Sequence, residues 1–561
     1  MGRSTTHDEP RHDAAEQEVD TDDGPEEEPR GRLRSVLAGA VTVTAAVLVL
    51  AALLTPIHLS AVEPGTYLRI PVEALLLAAL VLVLPPRARR PLAITAGAFL
   101  GVLTIVKALD MGFLEILVRP FNPVLDWMLA RPAVEFLTSS FGRTGGIAAA
   151  VGIGLLAVAL IAAMALAVLR LTTLMTRHRT AASRSLVVLC AAWIVLAALG
   201  AQAVPGAPLA AKSNLTLVYN HARQVKTTIG DRERFAALAS VDAFRNTPGD
   251  RLLTALRGKD VVLTFVESYG RTALDDPAVT SLLADGTRRL GSAGYSSRSG
   301  FLTSSVTGGG SWMAHATLLS GLPVGDQQRY RMLVSSDRLT LNGAFKRAGW
   351  RTTGIMPGVT RAWPEGRFYG YDKTYTSTDL GYRGPNFNWA TMPDQYVLSA
   401  FGRLENGRPH APSMAEIVLV SSHARWAAIP RFIDWNDVGD GSVYHRIPPA
   451  VNEAKLDPGR VRRNYLTSIK YSVGSLISYV EKYGDDDLVL VFLGDHQPAP
   501  MVAGENANRD VPITIVSRDK KVLDRIAAWN WKDGLNPAPD APVWKMSDFR
   551  DRFLTAFGPT P

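Results

Sequence analysis

The chain has 561 residues, a formal net charge of +8 and a single cysteine. One cysteine excludes an intramolecular disulfide framework and any zinc site built on thiolates. The length allows more than one domain, and no nucleic-acid motif accompanies the basic charge.

Residues 1–33 are polar and acidic, with Glu26, Glu27 and Glu28 closing a run of carboxylates. They lack the apolar side chains that would offset ordering entropy, so a disordered cytoplasmic tail is expected. Residues 34–205 hold five apolar stretches, near Val36–Leu54, Ile70–Leu84, Leu92–Leu109, Gly146–Leu169 and Ser185–Val204. Most approach the ~20 residues that cross a bilayer as a helix; the second is the shortest and contains Glu73. Arg30, Arg32 and Arg34 precede the first stretch, and Arg87, Arg89 and Arg90 follow the second. Arg170, Arg177, Arg179 and Arg184 lie between the fourth and fifth. Five spans place all three clusters on one side, which the positive-inside rule makes cytoplasmic. Everything after residue 205 is then outside. Residues 111–143, rich in aromatics and proline, read as an interfacial segment on the outer leaflet.

Residues 206–255 read as a linker, and 256–561 as a second domain. There, β-branched runs alternate with amphipathic stretches. Strands are expected at Val261–Val266, Thr352–Met356, Glu416–Val420, Leu488–Leu493 and Pro512–Val516. A helix is expected at Arg460–Tyr483, where Leu466, Ile469, Val473, Leu476 and Val480 repeat at helical period. That alternation predicts an α/β sandwich with a largely parallel sheet, whose functional residues sit at the carboxyl ends of strands.

Candidate chemistry falls at those ends. Glu267 follows the first expected strand; alone it is equally a helix cap or an ion pair. Asp495 and His496 follow a late strand, where they suit a divalent metal or a structural hydrogen bond. Ser311 follows Gly308-Gly309-Gly310 and opens an expected helix. There it is either an ordinary N-cap or a hydroxyl activated by a metal beside an anion-binding helix terminus. His315 lies one turn on, facing substrate or packed in the core. His423 follows Ser421-Ser422 and suits protonation of a leaving group or a buried structural role.

Taken together, these elements resemble the phosphoglycerol and phosphoethanolamine transferases of the alkaline-phosphatase (sulfatase-like) superfamily, and lipoteichoic acid synthases in particular. The resemblance covers most of the chain from about residue 35. It implies a membrane domain of about five spans followed by an extracytoplasmic α/β sandwich of alkaline-phosphatase type. It also implies a bacterial cell-membrane location and metal ligation by Glu267, Asp495, His496 and the nucleophile Ser311. His423 would contact the phosphoryl group. In Trp363-Pro364-Glu365-Gly366-Arg367, Arg367 would bind phosphate and Trp363 would pack on the donor. Met392-Pro393-Asp394 resembles another family element, read as structural. One divalent ion is expected, Mn²⁺ ahead of Zn²⁺ or Mg²⁺.

The implied reaction moves a phospholipid head group, phosphoglycerol in first place, from an outer-leaflet donor through Ser311 to a glycan, lipid or polymer acceptor. Hydrolysis by water and a non-catalytic lipid-binding role are the alternatives. Two departures stand out. The transferases use Thr where this chain has Ser311. The Pro-Arg that follows a sulfatase nucleophile is also missing from Ser311-Trp312-Met313-Ala314.

Overall fold

The computed structural model describes residues 29–204, 207–387, 390–406, 410–452 and 457–559. The acidic tail expected over 1–33 lies outside the described residues except for its last five, which belong to the first helix.

The N-terminal part is helical: α1 (Pro29–Leu54), α2 (Val72–Val83), α3 (Pro86–Leu117), α4 (Ala130–Arg177) and α5 (Arg179–Leu199). Four are long and apolar enough to cross a membrane; α2 is shorter, at 12 residues. Glu73 opens α2. The three arginine clusters meet at one end of the bundle. Arg170 donates to Thr42 Oγ1 (3.0 Å) on α1, and Arg179 donates to the Leu82 carbonyl (3.0 Å) on α2.

The expected interfacial segment is partly a continuation of helices. α3 runs on to Leu117, stops where Val118 takes φ 53°, and α4 starts at Ala130 with a kink at Gly142. Between them, Arg119 pairs with Asp126 (2.6 Å), and the buried Asp110 accepts from the Phe121 backbone N–H (2.9 Å).

The expected linker is instead a strut. α6 (Ser213–Ser240) is a 28-residue helix fastened to both halves. His221 meets Asp110 (2.9 Å) and Thr228 meets Asn122 (2.8 Å) on the membrane side. Asp231 pairs with Arg329 (2.6 Å), and Phe235 is buried in the core of the second domain. Polar side chains hid this helix from a reading based on apolar period, because most of its surface faces solvent rather than a core.

The second domain is built on a nine-stranded sheet. Its strands are β1 (Asp260–Val266), β2 (Ser296–Thr303), β3 (Arg351–Met356), β4 (Lys373–Thr376), β5 (Ser413–Leu419), β6 (Leu488–Gly494), β7 (Asp510–Ser517), β8 (Lys532–Asp533) and β9 (Val543–Lys545). The order is β8-β2-β7-β6-β1-β5-β3-β4, with β9 also against β2. Only the stretch from β6 to β4 is parallel throughout; β7 is antiparallel to both β6 and β2. The expectation of a largely parallel sheet therefore holds for the half that carries the candidate residues.

The strand core alternates between faces. Val261, Leu263 and Phe265 join one apolar cluster with α8 (Ser311–Ser320); Val262 and Val266 join another with α7 (Pro277–Ser292) and α9 (Pro458–Tyr483). Both faces are covered, which explains why these strands read as continuous apolar runs.

Candidate active site

Register brings the candidates together. Val266 of β1 pairs with Gly494 of β6, and with Leu419 of β5 on its other side. Glu267, Asp495 and the Ser421-Ser422-His423 turn therefore leave the sheet side by side. Gly494 is required there, because a Cβ would collide with the carbonyl oxygen of Tyr269.

Glu267, Asp495 and His496 are buried, and one ligating atom of each lies within 4.8 Å of the others. Asp495 Oδ1 accepts from the backbone N–H of Ser268 and of His496, both at 2.7 Å. That leaves Oδ2 for the centre. His496 Nδ1 lies 2.8 Å from the Gln497 carbonyl, which can only accept; Nδ1 therefore carries the proton. The Nε2 lone pair faces Ser311 Oγ (3.3 Å), Glu267 Oε1 (3.4 Å) and Asp495 Oδ2 (3.6 Å). An imidazole lone pair aimed at two carboxylates is a donor set for a cation, so these residues fit a divalent metal.

Burial raises the proton affinity of Asp495, and the Glu267 charge raises it further. Burial acts the same way on Glu267. There imidazolium charge on His423 and His496, which at His496 Nε2 a bound metal would replace, and the donors Ser268 and Ser311 outweigh it, and the net direction is down.

Ser311 is the first residue of α8; the N-cap is Gly310, in the left-handed region at φ 84°. The N-cap reading of Ser311 therefore fails. Its hydroxyl makes no cap bond and donates instead to Glu267 Oε2 (2.9 Å). The glycine loop before it is held from two sides. Gly308 N–H donates to the Gln497 carbonyl (2.9 Å), and a Cβ on Gly308 would strike the carbonyl oxygen of Ile116, near the end of α3. The loop that leads into Ser311 thus rests directly on a membrane-domain helix.

His423 is exposed at the rim. Its turn is pinned from below: Ser422 Oγ donates to the Glu267 carbonyl (2.6 Å), and Asp394 Oδ1 accepts from the backbone N–H of Val420 (2.7 Å) and Ser421 (2.9 Å). Asp394, buried and raised to about 6 by that burial, is a brace for the turn.

His315, half-buried, packs toward the strand core. Its ring stacks on Phe265 (centroids 3.9 Å apart), and Nδ1 lies 3.7 Å from Glu416 Oε1. Burial lowers it to about 3 against the pull of Glu267, so it is neutral. Trp363 stacks on Tyr369 (5.4 Å), while Arg367 is exposed on the short helix Gly366–Tyr369. Among the described residues, no hydrogen bond or ion pair joins either of them to Ser311 or the carboxylates.

Sequence reasoning missed Glu416, buried in mid-β5. It accepts from Tyr371 Oη (2.6 Å) and Asn342 Nδ2 (2.9 Å). A lone carboxylate inside an apolar run was the available signal.

Residues 259–530 match the family model described as sulfatase. No curated protein sequence matches the chain. Among solved structures, the chain is similar to the lipoteichoic acid synthase LtaP from Listeria monocytogenes. The identity is 15%, with 59% of this chain and 78% of that one covered, at a TM-score of 0.39. It is also similar to the lipooligosaccharide phosphoethanolamine transferase EptA from Neisseria meningitidis, at 14% identity, with 94% and 95% covered and a TM-score of 0.43. A third is the phosphoglycerol transferase GacH from Streptococcus pyogenes, at 15% identity, with 58% and 92% covered and a TM-score of 0.35.

Proposed function

Since residues 259–530 are a sulfatase-family domain carried behind a bundle of apolar helices, we propose that the chain transfers a phospholipid head group to a cell-envelope acceptor through a covalent bond to Ser311. Phosphoglycerol is the favoured cargo, on the resemblance described above. The observation that carries this reading is the Ser311 hydroxyl, within hydrogen-bond reach of both Glu267 and His496 at the first turn of α8.

Glu267, Asp495, His496 and Ser311 would hold one divalent ion. When bound, it lowers the proton affinity of the hydroxyl and offsets charge on the phosphoryl oxygens. Glu267 Oε2, which the Ser311 hydroxyl faces, takes its proton. Ser311 Oγ attacks phosphorus as the bond to the diacylglycerol oxygen breaks. His423, at the rim, hands a proton to that oxygen. The N-terminus of α8 favours the developing negative charge. An acceptor hydroxyl then attacks the same phosphorus, giving its proton to His423, and Ser311 leaves with the proton returned by Glu267. Arg367 and Trp363 would have to approach the donor on binding. The contact between Gly308 and α3 supports a site held at the membrane surface, where lipid donor is concentrated. The gathering of arginines at the opposite end of the bundle supports an extracytoplasmic sheet domain.

The test is intact mass of the full-length protein incubated with Mn²⁺ and mixed phospholipids. A head-group increment is expected, absent from Ser311→Ala. A metal-bound protein that turns over lipid with no increment in any time window would refute the covalent route and favour direct hydrolysis.

A further inference from the structure

The membrane domain also holds a cavity. α2 has 12 residues, about 18 Å of helix at 1.5 Å per residue, against ~30 Å of hydrocarbon in a bilayer. Alongside it a cavity of about 430 Å³ opens between α1, α2, α3 and α4, with walls that include Leu77, Val81, Phe99, Leu100, Leu103 and Val168. That is the size of a small-ligand pocket.

Its one polar corner is made by Glu73 of α2 and Asn214 of α6. Glu73 Oε1 accepts from the backbone N–H of Asn214 and of Leu215, both at 3.0 Å, and so caps α6. Asn214, 3% exposed, donates through Nδ2 to the Leu53 carbonyl (2.8 Å) at the end of α1. That bond fixes the carboxamide, so Oδ1 is the atom left over. Glu73 Oε2 and Asn214 Oδ1 are both buried with no hydrogen-bond partner among the described residues. Each such acceptor costs about 1–3 kcal/mol when left unpaired. Lys107 and Arg69 lie within electrostatic reach of Glu73, but their hydrogen bonds go elsewhere. Lys107 donates to the Ala52 (2.8 Å) and Thr55 (3.1 Å) carbonyls, Arg69 donates to the Leu54 carbonyl (2.6 Å), and neither lines the cavity.

An occupant that suits these walls is apolar along its length and presents a hydrogen-bond donor at one end. A hydroxyl suits this corner better than a phosphate, because both unpaired atoms are acceptors and phosphate oxygens offer them no proton. We propose that this cavity binds diacylglycerol, one acyl chain lying along α2 and the free hydroxyl donating to Glu73 Oε2 or Asn214 Oδ1. The choice of diacylglycerol among hydroxyl-bearing neutral lipids rests on the head-group transfer reading, which releases it beside this domain. The requirement for an uncharged donor at the polar corner rests on Glu73 and Asn214 alone.

The experiment uses full-length protein in lipid nanodiscs with a diacylglycerol bearing a photoreactive acyl chain. Cross-linking followed by peptide mapping should place the label on α2 and α3 residues that line the cavity. Unlabelled diacylglycerol should compete at least tenfold better than phosphatidylglycerol or than the same lipid with its hydroxyl acetylated. Ala96→Phe, which fills the cavity from α3, should cut labelling at least tenfold. Asn214→Leu combined with Glu73→Gln, which removes both free acceptors, should erase the preference for the free hydroxyl over the acetylated lipid. Label spread evenly over the outer faces of the helices, equal competition by phosphatidylglycerol, or full labelling of Ala96→Phe would overturn the proposal. Cavity labelling in a protein that forms no Ser311 adduct would uphold this site while the transfer reading fell.

Discussion

Glu416 is the side chain whose replacement tests the physical account most directly. It sits in the middle of β5 at 1% exposure, and burial pushes its carboxyl from 4.5 up to about 7. Tyr371 and Asn342 donate to the same oxygen, which pulls the other way and is outweighed. The folded protein therefore holds the Glu416 proton more tightly than the unfolded chain does. The stability this contributes is fully present below pH 4.5 and is lost as pH rises to about 7. At ~1.4 kcal/mol for each tenfold in proton affinity, the loss amounts to about 3 kcal/mol. Glu416→Gln keeps the shape and removes the proton, so its stability should not fall over that interval. Near pH 5 the two proteins should be alike, and above pH 7 the variant should be the more stable by up to about 3 kcal/mol. The assay is thermal unfolding of full-length protein in detergent, followed by tryptophan fluorescence at half-unit pH steps. A wild-type minus variant difference that stays flat between pH 4.5 and 7 would refute the reasoning, since it would mean Glu416 is ionised in place.

Three further outcomes are expected. Arg550 is fully buried and bonded to Asp242 (2.6 Å) and to the Leu339 carbonyl (2.6 Å); Arg550→Ala should cost about 3–5 kcal/mol, read as a lowered unfolding midpoint that Arg550→Lys does not restore. Gly308→Ala should push the nucleophile loop off the end of α3 and slow transfer by about a hundredfold, while isothermal titration still finds one metal per chain; unchanged turnover would mean the contact with Ile116 does not position Ser311. Chelation should abolish the Ser311 adduct and lower the melting point of the sheet domain, and Mn²⁺ at a hundred times its dissociation constant should return about 2.7 kcal/mol; a melting point indifferent to metal would argue against ligation by Glu267, Asp495 and His496.

What the sequence determined by itself is what local pattern encodes. Apolar runs gave the helices of the bundle, because a lipid environment demands uninterrupted apolar length. Continuous β-branched runs gave the buried parallel strands, because both faces of that part of the sheet are covered. Polar residues placed directly after those runs marked Glu267, Asp495 and His423, since a strand end at the edge of a covered sheet is where a charged group can meet a ligand. The glycine run marked Ser311.

Tertiary structure decided the rest. β2, with its serines and arginine, has no strand-length apolar run and is held as a strand by its pairing with β7, β8 and β9. α6 reads as linker because its fixings, His221 to Asp110 and Asp231 to Arg329, are made one residue at a time to partners distant in sequence. Whether the Ser311 hydroxyl capped its helix or faced the carboxylates was decided by the register of β1 against β6, which places Glu267 and His496 beside it. His315 has the same one-turn spacing whether it meets substrate or core, and the ring of Phe265 took it inward. The Glu73–Asn214 corner joins residues 141 positions apart. A pocket closed by two such residues has no local signature, because its polar corner joins two helices and its walls come from five.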